Sequence, residues 1–162
     1  RFRPPTITLS QRLTIYLGNH SFQLINMPGH SAFQLAIYIP EERVVFTSDN
    51  VFHKVPAALH QALPYEWLDS LERLQELEAD VLVPGHGTTC DRSYIPEMRA
   101  NIQAWIDAVS AAIDRGMSLE EAREKLPAID LNAQGTEGED AARAQMIQQM
   151  SLTRLYEVLK KG

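Results

Sequence analysis

Three short segments carry side chains that could bind metal ions, and each follows an apolar run. In sequence letters they are PGH at 28–30, SDN at 48–50 and PGHG at 84–87. A neutral imidazole is a good ligand for zinc, iron or manganese, and a carboxylate can bridge two cations. Glycine beside a histidine allows a sharp turn and a close approach of the ligand. The pattern therefore predicts a metal site made of His30, Asp49 and His86.

Each of these residues also has a structural interpretation. Taken alone, His86 could be a turn residue, and Asp49 could cap a turn or a helix. The repetition of Pro-Gly-His after two apolar runs favours metal binding, as does the apolar run that precedes Asp49. His53 could bind substrate, or it could have a surface or supporting role, and the sequence leaves both open. We expect solvated or loop positions for the other two histidines, His20 and His60.

The spacing of apolar residues predicts the elements that position these side chains. Alternation and short apolar runs predict five strands, over residues 6–17, 20–27, 34–40, 43–47 and 81–83. The first would contain a turn near Ser10, and the fourth would end at the SDN segment. Three- and four-residue spacing predicts helices over about 64–79, 94–115 and 140–160. Ser118 and Glu121 form a capping-box pattern that predicts a further short helix. Residues 128–139 are predicted to form a loop.

Composition limits the possible partners and locations. A chain of 162 residues with 44% hydrophobic residues can form one domain with a sizeable core. The net charge of −6, with no basic stripe, argues against a nucleic-acid partner. The single cysteine, Cys90, cannot form an internal disulfide, which fits a reducing compartment. Because the sequence has no apolar run of about 18 residues, we expect no membrane span. We therefore expect a cytoplasmic protein.

The segments NMPGHS, YIPEERVVFTSDNVF and DVLVPGHG, in this order, resemble the second half of the metallo-β-lactamase superfamily. The resemblance implies an α/β (α+β) fold: half of an αβ/βα sandwich, with a mixed sheet covered by helices. Residues 1–116 would be the C-terminal half of that domain, and residues 117–162 a helical extension packed on it. Two metal ions are implied, usually zinc and sometimes iron or manganese. His30 would complete the first ion's ligands, Asp49 would bridge both ions and act in catalysis, and His86 would bind the second.

The first ligand cluster of that family, His-x-His-x-Asp-His, does not occur in this sequence, and Ser48 stands where the family commonly has glycine. We therefore expect the C-terminal part of a larger metal-dependent hydrolase, either a fragment or a degenerate half, that is inactive alone. Its substrate would be a small ester, thioester, lactone, amide or phosphoester. The half site could hold zinc or no metal, and its partner would be the missing N-terminal half or a second copy. The alternative is a non-catalytic module that dimerises or docks through the same fold.

Overall fold

The computed structural model describes residues 3–126 and 139–161 and contains one five-stranded sheet. The strands lie in sequence order in the sheet, and each is hydrogen-bonded to the next. The first four form an antiparallel meander, and the fifth runs parallel to the fourth. They are β1 (Arg12–Leu17), β2 (His20–Asn26), β3 (Leu35–Ile39), β4 (Val44–His53) and β5 (Val81–Gly87).

A helix connects the two parallel strands, because parallel neighbours need a crossover connection. Helix α1 (Pro64–Glu76) fills this role, with a proline in its first turn, where the missing N–H has no cost. Its apolar stripe buries Trp67, Leu71 and Leu74 completely. Helix α2 (Tyr94–Asp114) follows β5 and packs beside α1, and both helices contact β4. The prediction of a mixed sheet covered by helices is confirmed.

Two further helices follow α2 in the chain. Helix α3 (Leu119–Lys125) begins with the predicted capping box: Ser118 Oγ accepts the Glu121 N–H, and the Glu121 carboxylate accepts the Ser118 N–H. Helix α4 (Glu139–Leu159) packs on α2 and α3. Its Ser151 hydroxyl accepts the N–H of Leu59 in the loop after β4. The loop predicted over 128–139 lies, except for its last residue, outside the described residues, and the division at residue 116 stays a prediction.

The sheet differs from the sequence prediction mainly at three strands. The prediction that the fifth strand covers only residues 81–83 is wrong, since β5 continues to Gly87 and includes His86. The first strand begins at Arg12, and Ile7 in the preceding segment is 71% exposed. The prediction that the fourth strand ends at the SDN segment is wrong, since β4 continues to His53. The pairing with β5 shifts register on both sides of Ser48, so the strand passes through an irregularity and resumes. A bulge interrupts the pattern of side chains without ending the strand, which is why the polar segment resembles a strand end in the sequence.

The helices cover one face of the sheet only. Residues that pair across neighbouring strands project to the same face. On the helix side, Ala36, Tyr38, Val45 and Leu82 are all buried. On the other side, one row crosses all five strands and is entirely apolar: Leu13, Leu24, Ile37, Phe46 and Val83. Within the described residues this open face has no cover, and Phe46 in its centre is 43% exposed.

An apolar face of this kind favours association, because contact removes apolar surface from water. We expect the chain to have a mass above that of a monomer in size-exclusion chromatography with light scattering. Phe46→Lys should shift it toward the monomer. Tyr16→Lys is the matched control, because Tyr16 is 80% exposed and its neighbour Ile15, not Tyr16, lies on the open face. A wild-type chain that stays monomeric at high concentration would contradict this expectation.

Candidate metal centre

A distortion in β4 sets the position of Asp49. Ser48 has a φ of 52°, a left-handed conformation that is uncommon for residues with a side chain. The β-ladder to β5 changes register on each side of this residue. The Ser48 hydroxyl donates to Oε1 of Gln34, 2.6 Å away, in the segment before β3. A bulge redirects the side chains beside it, and here it turns Asp49 toward the end of β5.

Gly85 leaves the space that the Asp49 carboxylate occupies. A Cβ atom at position 85 would collide with Oδ1 of Asp49 and would lie 2.9 Å from the Asp49 backbone nitrogen. The glycine of the second Pro-Gly-His segment is therefore required by a close approach between β5 and the carboxylate. Gly87, with a φ of +89°, lies similarly close to the backbone of His53.

The turn that carries His30 is held by side chains from β4 and α1. The buried Asn50 accepts the His30 N–H through Oδ1 at 3.0 Å and donates through Nδ2 to the Met27 carbonyl at 2.6 Å. Ser70 of α1 donates to the Pro28 carbonyl at 2.6 Å. The backbone N–H of Leu63 donates to the Gly29 carbonyl at 2.8 Å. This turn is consequently tied to the scaffold at four successive residues, 27–30.

The structure brings the three predicted ligands together around one carboxylate. Nε2 of His30 lies 3.9 Å from Oδ2 of Asp49, and Nε2 of His86 lies 3.6 Å from Oδ1. The two imidazoles therefore face different oxygens of the same group. The side chain of His30 is 11% exposed, that of Asp49 is 36% exposed and that of His86 is 55% exposed. The site thus runs from the edge of the core to solvent.

Aromatic side chains support the two imidazoles. The ring of Phe52 stacks on His86 with a centroid distance of 4.7 Å and an interplanar angle of 13°. The same ring lies 5.5 Å from the His30 ring, and Trp67 contacts His30 edge-on at 5.6 Å. Trp67 is oriented in turn, because its Nε1–H donates to the carbonyl of Asn50 at 2.9 Å. The sequence analysis assigned no role to Phe52 or Asn50, although both lie within three residues of Asp49 in β4.

Burial keeps His30 in the form that binds metals. Desolvation lowers the pKa of His30 more than the nearby Asp49 charge raises it, so the neutral imidazole is favoured at neutral pH. The backbone of Ala58 also raises the pKa of His30, and the Nδ1 atom is buried without a hydrogen-bond partner. A neutral imidazole with an accessible Nε2 is a suitable metal ligand.

The donor atoms fit part of a two-metal site. Each end of the Asp49 carboxylate has one oxygen and one imidazole nitrogen, which are donors that zinc, iron and manganese accept. Each position thus has two protein donors, and the described residues contain no group of three His, Cys, Asp or Glu that could hold an ion. Because structural zinc sites have four ligands and catalytic ones three protein ligands, each ion would need further ligands.

Two of the remaining histidines, His53 and His60, lie beside this centre. The predicted substrate-binding residue His53 has Nδ1 2.9 Å from the Thr88 carbonyl oxygen, and its ring packs edge-on against Tyr94. His60 is exposed, and its ring contacts His30 edge-on at 5.8 Å. Nε2 of His20 lies 2.6 Å from Glu42 in a separate cluster. Burial raises the pKa of the Cys90 thiol to about 11, so this cysteine stays protonated at neutral pH.

Comparison with known proteins identifies the family of this chain. The family model for the metallo-beta-lactamase superfamily matches residues 1–86. A hydroxyacylglutathione hydrolase from Bartonella quintana is 27% identical over 70 residues, which are 43% of this chain and 28% of the relative. The alpha subunit of a 2,4-dinitroanisole O-demethylase from Nocardioides sp. is 31% identical over 118 residues, which are 68% of this chain and 34% of that subunit.

Solved structures show the same fold. A metallo-beta-lactamase family protein from Thermus thermophilus superposes with a TM-score of 0.70 and 20% identity, over 98% of this chain and 50% of that one. The chain thus spans about a third of the length of the curated relatives and half of this structure. It belongs to the metallo-β-lactamase superfamily. Among the described residues, every helix is too short or too polar to cross a membrane.

Replacing Gly85 with alanine should disrupt the centre, because the new Cβ would occupy the position of Asp49 Oδ1. We expect Gly85→Ala to destabilise the chain by about 2 kcal/mol or more, the range for overpacked sites. Gly116→Ala is the control: Gly116 has a φ of +73° and nothing within 4 Å of a Cβ, so only backbone strain of about 1 kcal/mol is expected. Urea denaturation of both variants measures the difference, and equal losses would contradict the proposed collision.

The lowered pKa of His30 predicts a pH-dependent stability. In the unfolded chain this histidine regains its ordinary pKa of 6.5, so below that pH the unfolded state binds more protons than the folded state. The free energy of unfolding should therefore fall as the pH is lowered from about 7.5 to about 5.5 in the presence of a chelator. Comparison with His30→Gln isolates this effect. As the pH is lowered, the free energy of unfolding of the wild type should fall relative to that of the variant. A shift in favour of the wild type would contradict the assigned direction.

Proposed function

We propose that this chain supplies half of a two-metal hydrolase centre, with His30, Asp49 and His86 as ligands. The observation that carries the proposal is the arrangement of two imidazoles on the two oxygens of one carboxylate. A carboxylate with a nitrogen donor at each end can bridge two ions. Membership of the superfamily, and similarity to a relative named as a hydrolase, support the same conclusion. Zinc is the proposed metal, and iron and manganese accept the same donors.

In this proposal each residue has a defined task. His30, buried and neutral, presents Nε2 from a turn that cannot rotate freely, and His86 presents Nε2 from the exposed end of β5. Asp49 would hold the ions together with these two histidines, and its carboxylate would orient the attacking water and accept a proton from it. The bound metals would lower the pKa of that water and polarise the reacting carbonyl or phosphoryl oxygen. The proposed substrates are small esters, thioesters, lactones, amides or phosphoesters, with His53 at the edge of their site.

In this proposal, the ligands that the described residues do not supply come from another polypeptide segment. We propose that an N-terminal half of the fold, or a second copy of this chain, packs on the open face and completes the centre. The row from Leu13 to Val83 gives such a partner an apolar surface. The chain alone would accordingly be inactive. A cytoplasmic location is part of the same proposal, since the single Cys90 cannot form an internal disulfide and so requires no oxidising compartment.

Metal content tests the assignment of the ligands. The wild-type chain is saturated with zinc, dialysed, and measured by inductively coupled plasma mass spectrometry beside His30→Ala and His86→Ala. We expect at least one equivalent in the wild type and about tenfold less or lower in each variant, since even supporting residues of metal sites change affinity by this factor. His20→Ala is the control, because His20 pairs with Glu42 in a separate cluster. Negligible zinc in the wild type would mean that this chain alone does not form the site.

A second candidate function is supported by the open sheet face. An apolar row across five strands is the type of surface that mediates dimerisation or docking. In this alternative the chain is a non-catalytic module, and the three ligand-type residues stabilise turns only. A chain that associates through Phe46 but retains no zinc would favour this function over the first.

A further inference from the structure

Two residues flank Asp49 in β4, and both side chains reach the loop that carries His30. The Ser48 hydroxyl donates to the side chain of Gln34 at 2.6 Å. The Asn50 side chain forms hydrogen bonds with the backbone of Met27 and His30, at the N-terminal end of the same loop. The loop is closed at its base, because the Met27 N–H donates to the Gln34 carbonyl at 2.9 Å. The residues on either side of the carboxylate therefore hold both ends of one closed loop.

Of Ser48 and Asn50, Asn50 has the side chain that is held by more contacts. It is fully buried, its side-chain Oδ1 accepts the His30 N–H, and its side-chain Nδ2 donates to the Met27 carbonyl. Gly29 allows this approach, since a Cβ at that position would lie 2.6 Å from Oδ1 of Asn50. The Asn50 backbone carbonyl accepts the Trp67 indole N–H at 2.9 Å, which fixes the main chain as well. A residue at this position must donate and accept at once, and an apolar residue of similar size can do neither.

We propose that Asn50 is a positioning residue that fixes His30 relative to Asp49, an inference that rests on the proposed metal centre. Asn50 follows Asp49 directly in the chain, and its side chain holds the backbone N–H of His30. Any movement of β4 therefore moves the carboxylate and this imidazole together. Metal sites depend on such supporting contacts because ligands must be held close to the productive geometry before the ion binds.

The two imidazoles differ in what holds them, and this difference makes the proposal specific. His86 is placed by the pairing of β5 with β4, where it is the partner of Phe52, and by stacking on that ring. His30 lies outside the strands, and its backbone N–H is held by the Asn50 amide. Loss of that amide should consequently loosen His30 and leave β5 in place.

Hydrogen exchange measured by NMR tests the contact without any metal. In Asn50→Ala the His30 amide should exchange about tenfold faster than in the wild type, the factor for one lost hydrogen bond. The Leu82 amide is the internal reference, because it donates to the Cys90 carbonyl at 2.7 Å on β5. Val109→Ala, a fully buried truncation in α2, is the matched control for lost stability and should leave the ratio of the two exchange rates unchanged. An unchanged ratio in a folded Asn50→Ala would overturn the proposal.

Zinc affinity separates positioning from simple structural support. By isothermal titration with Zn²⁺, we expect Asn50→Ala to bind about 10- to 100-fold more weakly than the wild type and Val109→Ala to bind normally. Equal affinities would overturn the positioning role. If the wild type itself binds no zinc, this chain alone does not form the proposed site, and the exchange ratio alone decides the inference. If Asn50→Ala does not fold, the His30 amide is measured in the wild type alone. Exchange as fast as that of an exposed loop amide would then overturn the proposal.

Discussion

The candidate centre depends on the parallel pairing of β4 with β5 and on the bulge that interrupts it at Ser48. In a regular strand successive side chains point to opposite faces of the sheet, and this alternation alone would decide where the Asp49 side chain points. The left-handed Ser48 changes this direction, and Gly85 leaves the space into which the carboxylate enters. Both features are costly in isolation, since Ser48 is held in an uncommon backbone conformation and position 85 has no room for a side chain. They persist because the buried strands on either side hold the backbone in place.

The position of the centre at the edge of the core explains the different properties of its histidines. His30 is surrounded by Phe52 and Trp67, and this burial lowers its pKa, so that its lone pair is available at neutral pH. His86 lies further out and is accessible to solvent. The arrangement gives one fixed donor and one open donor on a shared carboxylate. In the proposed function, the open side is where a substrate and the missing ligands would enter.

Much of this arrangement could be predicted from the sequence, and the rest depends on contacts between distant residues. Short apolar runs followed by Pro-Gly-His indicated where His30 and His86 lie, because strand periodicity and glycine turns are local properties. The length of β4 could not be predicted, since a polar segment such as residues 48–50 is typical of a loop unless other strands force it into a sheet. The role of Asn50 was hidden for the same reason. Its partners lie 20 or more residues away, and its type alone is equally common in turns.

The incomplete donor set and the open apolar face have one common solution within the proposed function. Two donors at each metal position leave each ion short of protein ligands, and an uncovered sheet leaves the chain prone to association. A partner that covered the row from Leu13 to Val83 would bury apolar surface worth about 25 cal/mol per Å², and this free energy could offset the cost of ordering the additional ligands. Metal binding and sheet packing would then be thermodynamically coupled, so that each would strengthen the other.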